Sequence, residues 1–151
     1  MNDGAFCWTK TVDFHETDMA GIVHFANFFK YFEMAETAYF RSIGSSIFDS
    51  SQNLRWPRVH VSCDYKAPLR FGDAFEVRLT VAAIKERSAE LQFTVRRRDD
   101  DEQFVVVAVG RSVIVCAYFD DVEKKIKSQA IPGEIASALA ATRQAGAPAD
   151  D

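Results

Sequence analysis

One long helical stretch constrains this fold more than any other feature of the sequence. From about Ala26 to Ser42, ending near Gly44, apolar side chains recur every three or four residues. Phe29 and Phe40 widen the apolar stripe. A helix with so broad an apolar face is predicted to be wrapped by other structure rather than laid on a surface. The stripe itself consists of Phe25, Phe28, Phe32, Ala35, Tyr39 and Ile43.

Strand patterns lie on both sides of this helix. Apolar and polar side chains alternate at 8–15 before it, and four further strands are predicted at 59–65, 74–81, 89–96 and from 104 to about 117. The segment 45–56 is predicted to be a polar connection, and a second, short helix is predicted at 133–141. One strand, one long helix and four antiparallel strands indicate an α+β domain with a five-stranded sheet.

The length and composition indicate one well-packed domain. The chain has 151 residues, 48% of them hydrophobic, and thirteen are Phe. No internal repeat or linker divides it, so we predict a single domain over 1–143. The remaining residues, 144–151, contain Gly, Pro and Ala and are predicted to be a disordered tail.

Charge and cysteine content exclude several function classes. The net charge of −4 argues against nonspecific nucleic-acid binding or binding to an anionic membrane, and no apolar run approaches the roughly 18 residues of a membrane span. The first six residues lack the pattern of a secretion signal. The three cysteines are widely spaced. We therefore expect a cytoplasmic protein with reduced thiols and no nucleic-acid or membrane partner.

The segment 16–27 places an acid between the first strand and the long helix. Asp18 lies beside Gly21, a residue that can adopt backbone angles closed to other residues. Free N–H groups at a helix start polarise a bound carbonyl. A carboxylate facing such donors is a candidate hydrolytic pair, although turn and helix-capping acids are common.

The same segment carries a family resemblance. Asp18-Met19-Ala20-Gly21-Ile22-Val23 followed by Phe25-Ala26-Asn27 resembles the acidic signature of hotdog-fold acyl-CoA thioesterases, especially the 4-hydroxybenzoyl-CoA thioesterase type. The similarity extends to the order of elements over about 8–118. The resemblance implies a sheet curled around the long helix, Asp18 as nucleophile or general base, and the Phe25 N–H as the group that polarises the thioester carbonyl. It also implies an acyl-CoA substrate, a homodimer or homotetramer, and no cofactor, since coenzyme A belongs to the substrate.

The resemblance suggests roles for further residues. Gly21 forms the turn, and His24 stands where relatives usually have an aromatic residue. We interpret His24 as a packing residue at the pocket edge; orienting water or shifting the pKa of Asp18 is the alternative. Asn27 caps the helix or holds the acid-bearing turn, with capping favoured. Lys85 and Arg87 correspond roughly to the position where relatives contact nucleotide phosphates; a solvated turn is the alternative.

Three other acids lie in the segment 16–27 or in the helix that follows it. Glu16 is a second candidate acid but is predicted to face solvent. Glu33 and Glu36 lie three apart in the helix, where many relatives have Glu followed by Arg. Either one meets a basic partner from elsewhere or the pocket requires the acid.

Three scattered His residues without an acid at metal-site spacing argue against a zinc centre, so no metal is expected.

Two other functions remain open at this stage. A hotdog-fold acyl dehydratase is the main rival, because His24-Phe25 followed by Glu33 is faintly similar to its His and Glu pair. The dehydratase signature has prolines soon after its His-Phe, whereas the first proline here is Pro57. The third reading is a non-catalytic acyl-binding protein. No Gly-x-Ser-x-Gly nucleophile motif occurs, which removes the common serine-dependent architecture.

Overall fold

Five antiparallel strands form the main sheet of the computed structural model, which describes residues 4–143. The strands are β1 (Phe6–Thr11), β4 (Arg58–Tyr65), β5 (Ala74–Ile84), β6 (Ser88–Arg98) and β7 (Phe104–Val115). Their order across the sheet is β1-β5-β6-β7-β4. Consecutive long strands β5, β6 and β7 pair as hairpins, while β1 and β4 form the two edges.

The long helix α1 (Asn27–Ser42) packs against one face of this sheet. Its Phe32 ring stacks on Phe93 of β6, with 4.8 Å between ring centroids. The same ring lies over Gly110 of β7, where a Cβ atom would come within 2.3 Å of it. Only glycine allows the helix so close to the sheet at this point. The predicted α+β class and the sheet curled around one long helix are confirmed.

A second, smaller sheet was not predicted. It joins β2 (Phe48–Asp49) and β3 (Leu54–Arg55) to the hairpin β8 (Ala117–Asp120) and β9 (Lys125–Ser128). The segment 45–56 is therefore not merely a polar connection. Asn53 fixes it by two hydrogen bonds to the Phe119 backbone, of 2.8 Å and 2.9 Å. Strands of two residues are too short to show a periodicity in sequence.

One end of a predicted element differs in the structure by several residues. The first strand ends at Thr11 rather than His15, because residues Phe14–Glu16 form a 3-10 turn. The Asp13 N–H donates to the Glu16 side chain over 2.8 Å, which closes that turn. The short helix α2 (Gly133–Ala141) has the predicted bounds. The tail predicted at 144–151 lies outside the described residues.

Neither helix within residues 4–143 is long and apolar enough to cross a membrane. None of the three cysteines, all of which lie within residues 4–143, forms a disulfide; Cys7 is exposed, Cys63 is half-buried and Cys116 is buried. Burial raises the pKa of the Cys116 thiol to about 11.

Candidate active site

The loop between β1 and α1 is held in place by four hydrogen-bonding contacts. Thr17 pairs with Val23 in an antiparallel bridge, and the Val23 N–H donates to the Leu69 carbonyl over 2.8 Å. The Glu16 carbonyl accepts both the His24 N–H, at 3.0 Å, and the Asn27 side-chain amide, at 2.8 Å. The loop is thereby closed at its base, and the residues beyond Thr17 form its tip.

Asn27 does not cap the helix, so the favoured interpretation of this residue is wrong. It is the first residue of α1, the preceding position is Ala26, and no side chain there caps the helix. The Asn27 amide instead holds the acid-bearing loop through the Glu16 carbonyl. This is the alternative role considered from the sequence. Asn is suited to it because its side chain offers two donors.

Asp18 lies in a tight turn at the tip of this loop. The Gly21 N–H donates to the Asp18 carbonyl over 3.0 Å, and the Asp18 N–H donates to the Ile22 carbonyl over 2.9 Å. Gly21 has φ of +81°, in the region that favours glycine. One carboxylate oxygen, Oδ1, accepts the Ala20 N–H at 2.8 Å. The other, Oδ2, has no partner among the described residues, and the side chain is half-buried.

Glu16, the second candidate acid, is buried rather than solvent-facing. Only 6% of it is exposed, which corrects the prediction from the sequence. Its carboxylate accepts the Asp13 N–H and lies 3.3 Å from the Lys10 ammonium. Glu16 is therefore buried in the 3-10 turn, where its contacts hold the loop in place. Of these two acids, Asp18 is the one with a carboxylate oxygen that hydrogen-bonds to no described residue.

Phe25 lies between this loop and the helix. Among the described residues its N–H has no acceptor, whereas its carbonyl accepts the Tyr65 hydroxyl at 2.8 Å. Because the Glu16 carbonyl bonds to His24, the next residue, Phe25, is adjacent to the base of the Asp18 loop. Tyr65 was not singled out from the sequence. Its pKa is raised to about 12, chiefly by burial.

His24 is exposed and stacks on the Phe25 ring, with 4.5 Å between centroids. Its Nδ1 accepts the Ala26 N–H at 3.2 Å. That bond fixes the imidazole over the aromatic side chain. His24 thus packs on Phe25 at the surface of the chain, and its place at a pocket edge stays a prediction.

The two helix acids have different environments. Glu33 is exposed, whereas Glu36 is only 1% exposed and pairs with Arg58 of β4 over 2.9 Å. Glu36 thus meets a basic partner from elsewhere. Burial raises the pKa of Glu36 above its usual value, against the opposing effect of the Arg58 charge.

Lys85 and Arg87 do not lie near Asp18 within one chain. They follow β5 at its far end, whereas the Asp18 loop packs near the Ala74 end, where the Val12 N–H donates to the Asp73 carbonyl. The eleven residues of β5 separate the two places by roughly 35 Å. Both residues are exposed, and the Arg87 guanidinium donates to Ser128.

Within residues 4–143, no group of three or more His, Cys, Asp or Glu side chains is placed to hold a metal ion. The loop itself offers a carboxylate and, next to its base, a backbone N–H that has no acceptor among the described residues. This pair is suited to attack on a carbonyl and to stabilisation of the oxyanion that results.

Comparison with known proteins identifies the family of this fold. The family described as the Thioesterase-like superfamily matches residues 12–139. A 1,4-dihydroxy-2-naphthoyl-CoA hydrolase from Nostoc punctiforme is 30% identical over 142 residues, which are 93% of this chain and 90% of the relative.

Solved structures give the same result. A hypothetical protein from Aquifex aeolicus superposes with a TM-score of 0.78 at 29% identity, covering 89% of this chain and 98% of that one. The 4-hydroxybenzoyl-CoA thioesterase from Pseudomonas sp. superposes with a TM-score of 0.79 at 17% identity, over 89% of this chain and 98% of the other. The latter likeness concerns the fold alone. The resemblance found in the sequence and the predicted hotdog fold are confirmed.

Proposed function

The chain belongs to the thioesterase-like superfamily, and on that premise we propose that it hydrolyses an acyl-CoA thioester to the free acid and coenzyme A. The observation that carries this proposal is the unpaired Phe25 N–H beside the loop of Asp18. In a protein of this family, a free donor and a free carboxylate oxygen at one loop match the two requirements of thioester hydrolysis.

The thioester carbonyl would accept the Phe25 N–H. As the carbonyl carbon becomes tetrahedral, its oxygen gains charge, and a donor already aimed at it contributes roughly 3 to 4 kcal/mol of transition-state stabilisation. The Tyr65 hydroxyl donates to the carbonyl of the following peptide, between Phe25 and Ala26, and so anchors Phe25 on the other side of its Cα atom. Neither role requires a cofactor.

Asp18 would act through its free oxygen, Oδ2. In one route the carboxylate attacks the carbonyl carbon, the C–S bond breaks with release of the coenzyme A thiolate, and water hydrolyses the mixed anhydride. In the other route Asp18 takes a proton from water while the water oxygen attacks. The bond from the Ala20 N–H to Oδ1 holds the carboxylate in one orientation for either route.

The assembly proposed for this function is a two-fold dimer across β4. This edge strand carries exposed Val59, Val61 and Tyr65. Val61 and Tyr65 face the helix side of the sheet. An exposed apolar edge strand favours pairing with another strand. Closed two-fold dimers are the commonest assembly in which an edge strand can gain such a partner strand. A dimer of dimers would use a further surface.

This dimer would also explain how Lys85 and Arg87, which are far from Asp18 in one chain, could reach the substrate. The Arg58 end of β4 lies at the same end of the sheet as the β5–β6 turn, since Arg58 pairs with Ile114 and Ser88 with Val115. If β4 pairs antiparallel with β4 of the partner subunit, the Arg58 end of one strand lies beside the Tyr65 end of the other. Lys85 of the partner subunit would then lie on the side of the Asp18 loop, where nucleotide phosphates are expected.

The test is release of coenzyme A from a panel of acyl-CoA thioesters, followed with a thiol reagent. Benzoyl, dihydroxynaphthoyl and short or medium aliphatic acyl groups should be compared, together with a 3-hydroxyacyl-CoA monitored for enoyl absorbance. We expect thiol release from at least one thioester and no enoyl product. Enoyl formation without thiol release would instead favour the dehydratase, and binding without either product would favour an acyl-binding protein.

A further inference from the structure

A cavity of about 190 Å³ lies between α1 and the sheet, apart from the Asp18 loop. Phe29, Phe32 and Phe93 supply aromatic surface to it. Val61 of the edge strand β4 also lines it and is half-exposed, so the cavity opens toward that edge. The remaining lining residues are polar: Glu33, Glu36, Arg58 and Ser112.

Two polar atoms in this lining are buried and have no hydrogen-bond partner in the part of the chain that the structure describes. They are Oε1 of Glu36 and Oγ of Ser112, in residues that are 1% and 3% exposed. Buried polar atoms in native proteins are nearly always paired, and an unpaired one requires an explanation. Both atoms belong to side chains that face the same cavity. A group placed between them would satisfy both.

The Glu36 carboxylate is fixed in a position to receive such a group. Its other oxygen, Oε2, accepts the Arg58 guanidinium at 2.9 Å, which anchors the side chain and sets the direction of Oε1. Oε1 is an acceptor in the ionised carboxylate, while the Ser112 hydroxyl both donates and accepts. A hydroxyl on a ligand can donate to Glu36 and accept from Ser112 at the same time.

The cavity also lies in line with the predicted carbonyl site. Helix α1 runs antiparallel to β4, because Tyr65 bonds to Phe25 at the helix start and Arg58 bonds to Glu36 further along. Phe29, the first helix residue of the lining, is one turn beyond Phe25. Glu36 is seven residues further, roughly 10 Å along the axis. An engineered apolar cavity of about 150 Å³ holds benzene, so this one has room for a ring or a short chain.

We propose that this cavity receives the far end of the acyl group, and that Glu36 and Ser112 select acyl groups with a hydroxyl at that end. The selection rests on the proposed thioesterase function for its biological meaning. The three Phe side chains contact the carbon skeleton, and the hydroxyl fills the position between the two unpaired atoms. An acyl group without the hydroxyl leaves both atoms unsatisfied and binds more weakly.

Matched pairs of thioesters test the selection directly. One pair is 6-hydroxy-2-naphthoyl-CoA and 2-naphthoyl-CoA; the other is 8-hydroxyoctanoyl-CoA and octanoyl-CoA. We expect kcat/KM to be at least tenfold higher for the hydroxylated member of one pair, and that pair identifies the skeleton as aromatic or aliphatic. A ratio near one for both pairs in the wild-type protein would overturn the proposal.

Variants of Ser112 provide the matched control. For the preferred pair, the kcat/KM of the hydroxylated thioester divided by that of its unsubstituted partner should fall to about three or less in Ser112→Ala. Ser112→Thr keeps a hydroxyl and should retain most of the preference. Glu36→Gln should reduce the ratio while keeping an acceptor for Arg58. If Ser112→Ala and wild type show the same ratio, Ser112 does not select the substrate and the proposal is wrong.

Binding of the free acids separates this proposal from the proposed function. The affinities of wild type and Ser112→Ala for 6-hydroxy-2-naphthoate, 2-naphthoate, 8-hydroxyoctanoate and octanoate should be measured by titration calorimetry. We expect at least tenfold tighter binding of one hydroxy acid by wild type, lost in Ser112→Ala. If this preference is present and no thioester is hydrolysed, the proposed function fails while the selection stands. Equal binding within both pairs overturns the selection whether or not hydrolysis occurs.

Discussion

Glu16 and Asp18 lie two residues apart and have opposite environments. Glu16 is buried and accepts bonds that hold the 3-10 turn, whereas Asp18 keeps one oxygen free of partners among the described residues. The difference comes from the Gly21 turn, which places residues 18–21 at the tip of the loop. At the scale of single residues, local backbone geometry decides which acid is structural and which is available for chemistry.

The Gly21 turn can be tested by Gly21→Ala. A Cβ at this position has open space around it, so the cost is conformational alone, because φ is +81°. We expect a loss of about 1 to 2 kcal/mol in the free energy of unfolding, measured by urea denaturation, together with reduced thioester hydrolysis. Gly133→Ala is the matched control, because it also has open space but no positive φ. Equal effects of the two substitutions would contradict the assigned turn.

The buried Glu36 predicts a pH dependence of stability. Because burial raises its pKa in the folded chain above the usual 4.5, the folded state holds the proton more tightly than the unfolded chain. The free energy of unfolding of wild type, relative to Glu36→Gln, should therefore fall as pH rises from 4.5 through the folded pKa. Arg58 and Glu33 are the charged groups near it, and Arg58 limits the size of the effect.

Urea denaturation of wild type and Glu36→Gln from pH 4 to pH 8 measures this difference. Glu33→Gln, at an exposed neighbouring position, is the control for a general change in charge. A difference between wild type and Glu36→Gln that stays constant or grows with pH would show that burial does not control this carboxyl group.

Among the elements, β4 is the strand whose packing is incomplete within one chain. Its inner face contacts α1 through Tyr65 and Arg58, yet Val59 and Val61 remain exposed. The opposite edge, β1, is shorter. This asymmetry is the reason to place the dimer contact at β4 rather than at β1.

Val59→Glu tests the role of this strand. Val59 is 65% exposed in the single chain, so a charge there should leave the fold intact. In a two-fold dimer it would place two like charges near the axis, and we expect dissociation toward monomer in sedimentation velocity. Val122→Glu, in the exposed β8–β9 turn, should leave the assembly unchanged. A Val59→Glu protein that sediments like wild type would exclude β4 as the contact.

The sequence predicts the elements well where they are long and periodic. The apolar stripe identified α1, and the alternation of β5 and β6 identified those strands to within a few residues. The second sheet could not be predicted, because β2 and β3 have two residues each and depend on Asn53 reaching Phe119, 66 residues away. The Glu36 and Arg58 pair, 22 residues apart, likewise depends on how the helix lies along β4.

At the scale of the whole molecule, the proposed site draws on residues at opposite ends of one sheet. Lys85 and Asp18 are separated by the length of β5 in a single chain. In the proposed dimer, a two-fold axis across β4 would bring the partner subunit's β5–β6 turn to the Asp18 side. Coenzyme A, which carries its thioester and its phosphates at opposite ends, suits a site built from two chains.

Lys85→Ala tests this arrangement. We expect KM for an acyl-CoA to rise several-fold with kcat little changed, because the lost contact is to phosphates far from the reacting carbonyl. The matching acyl-N-acetylcysteamine thioester lacks the nucleotide, so its KM should not change. Lys124→Ala, at an exposed position in the β8–β9 turn, is the control. A change in KM that is equal for both thioesters would contradict phosphate binding by Lys85.

The most direct test of the central claim is the hydrolysis rate of Asp18→Asn on the best acyl-CoA of the panel. Asn keeps an oxygen to accept the Ala20 N–H, so the turn should persist, as circular dichroism can verify. We predict at least about a hundredfold loss of kcat, the scale of a lost general base or nucleophile, with Asp100→Asn in the exposed hairpin unaffected. A folded Asp18→Asn protein that hydrolyses the thioester at nearly the wild-type rate would contradict the account.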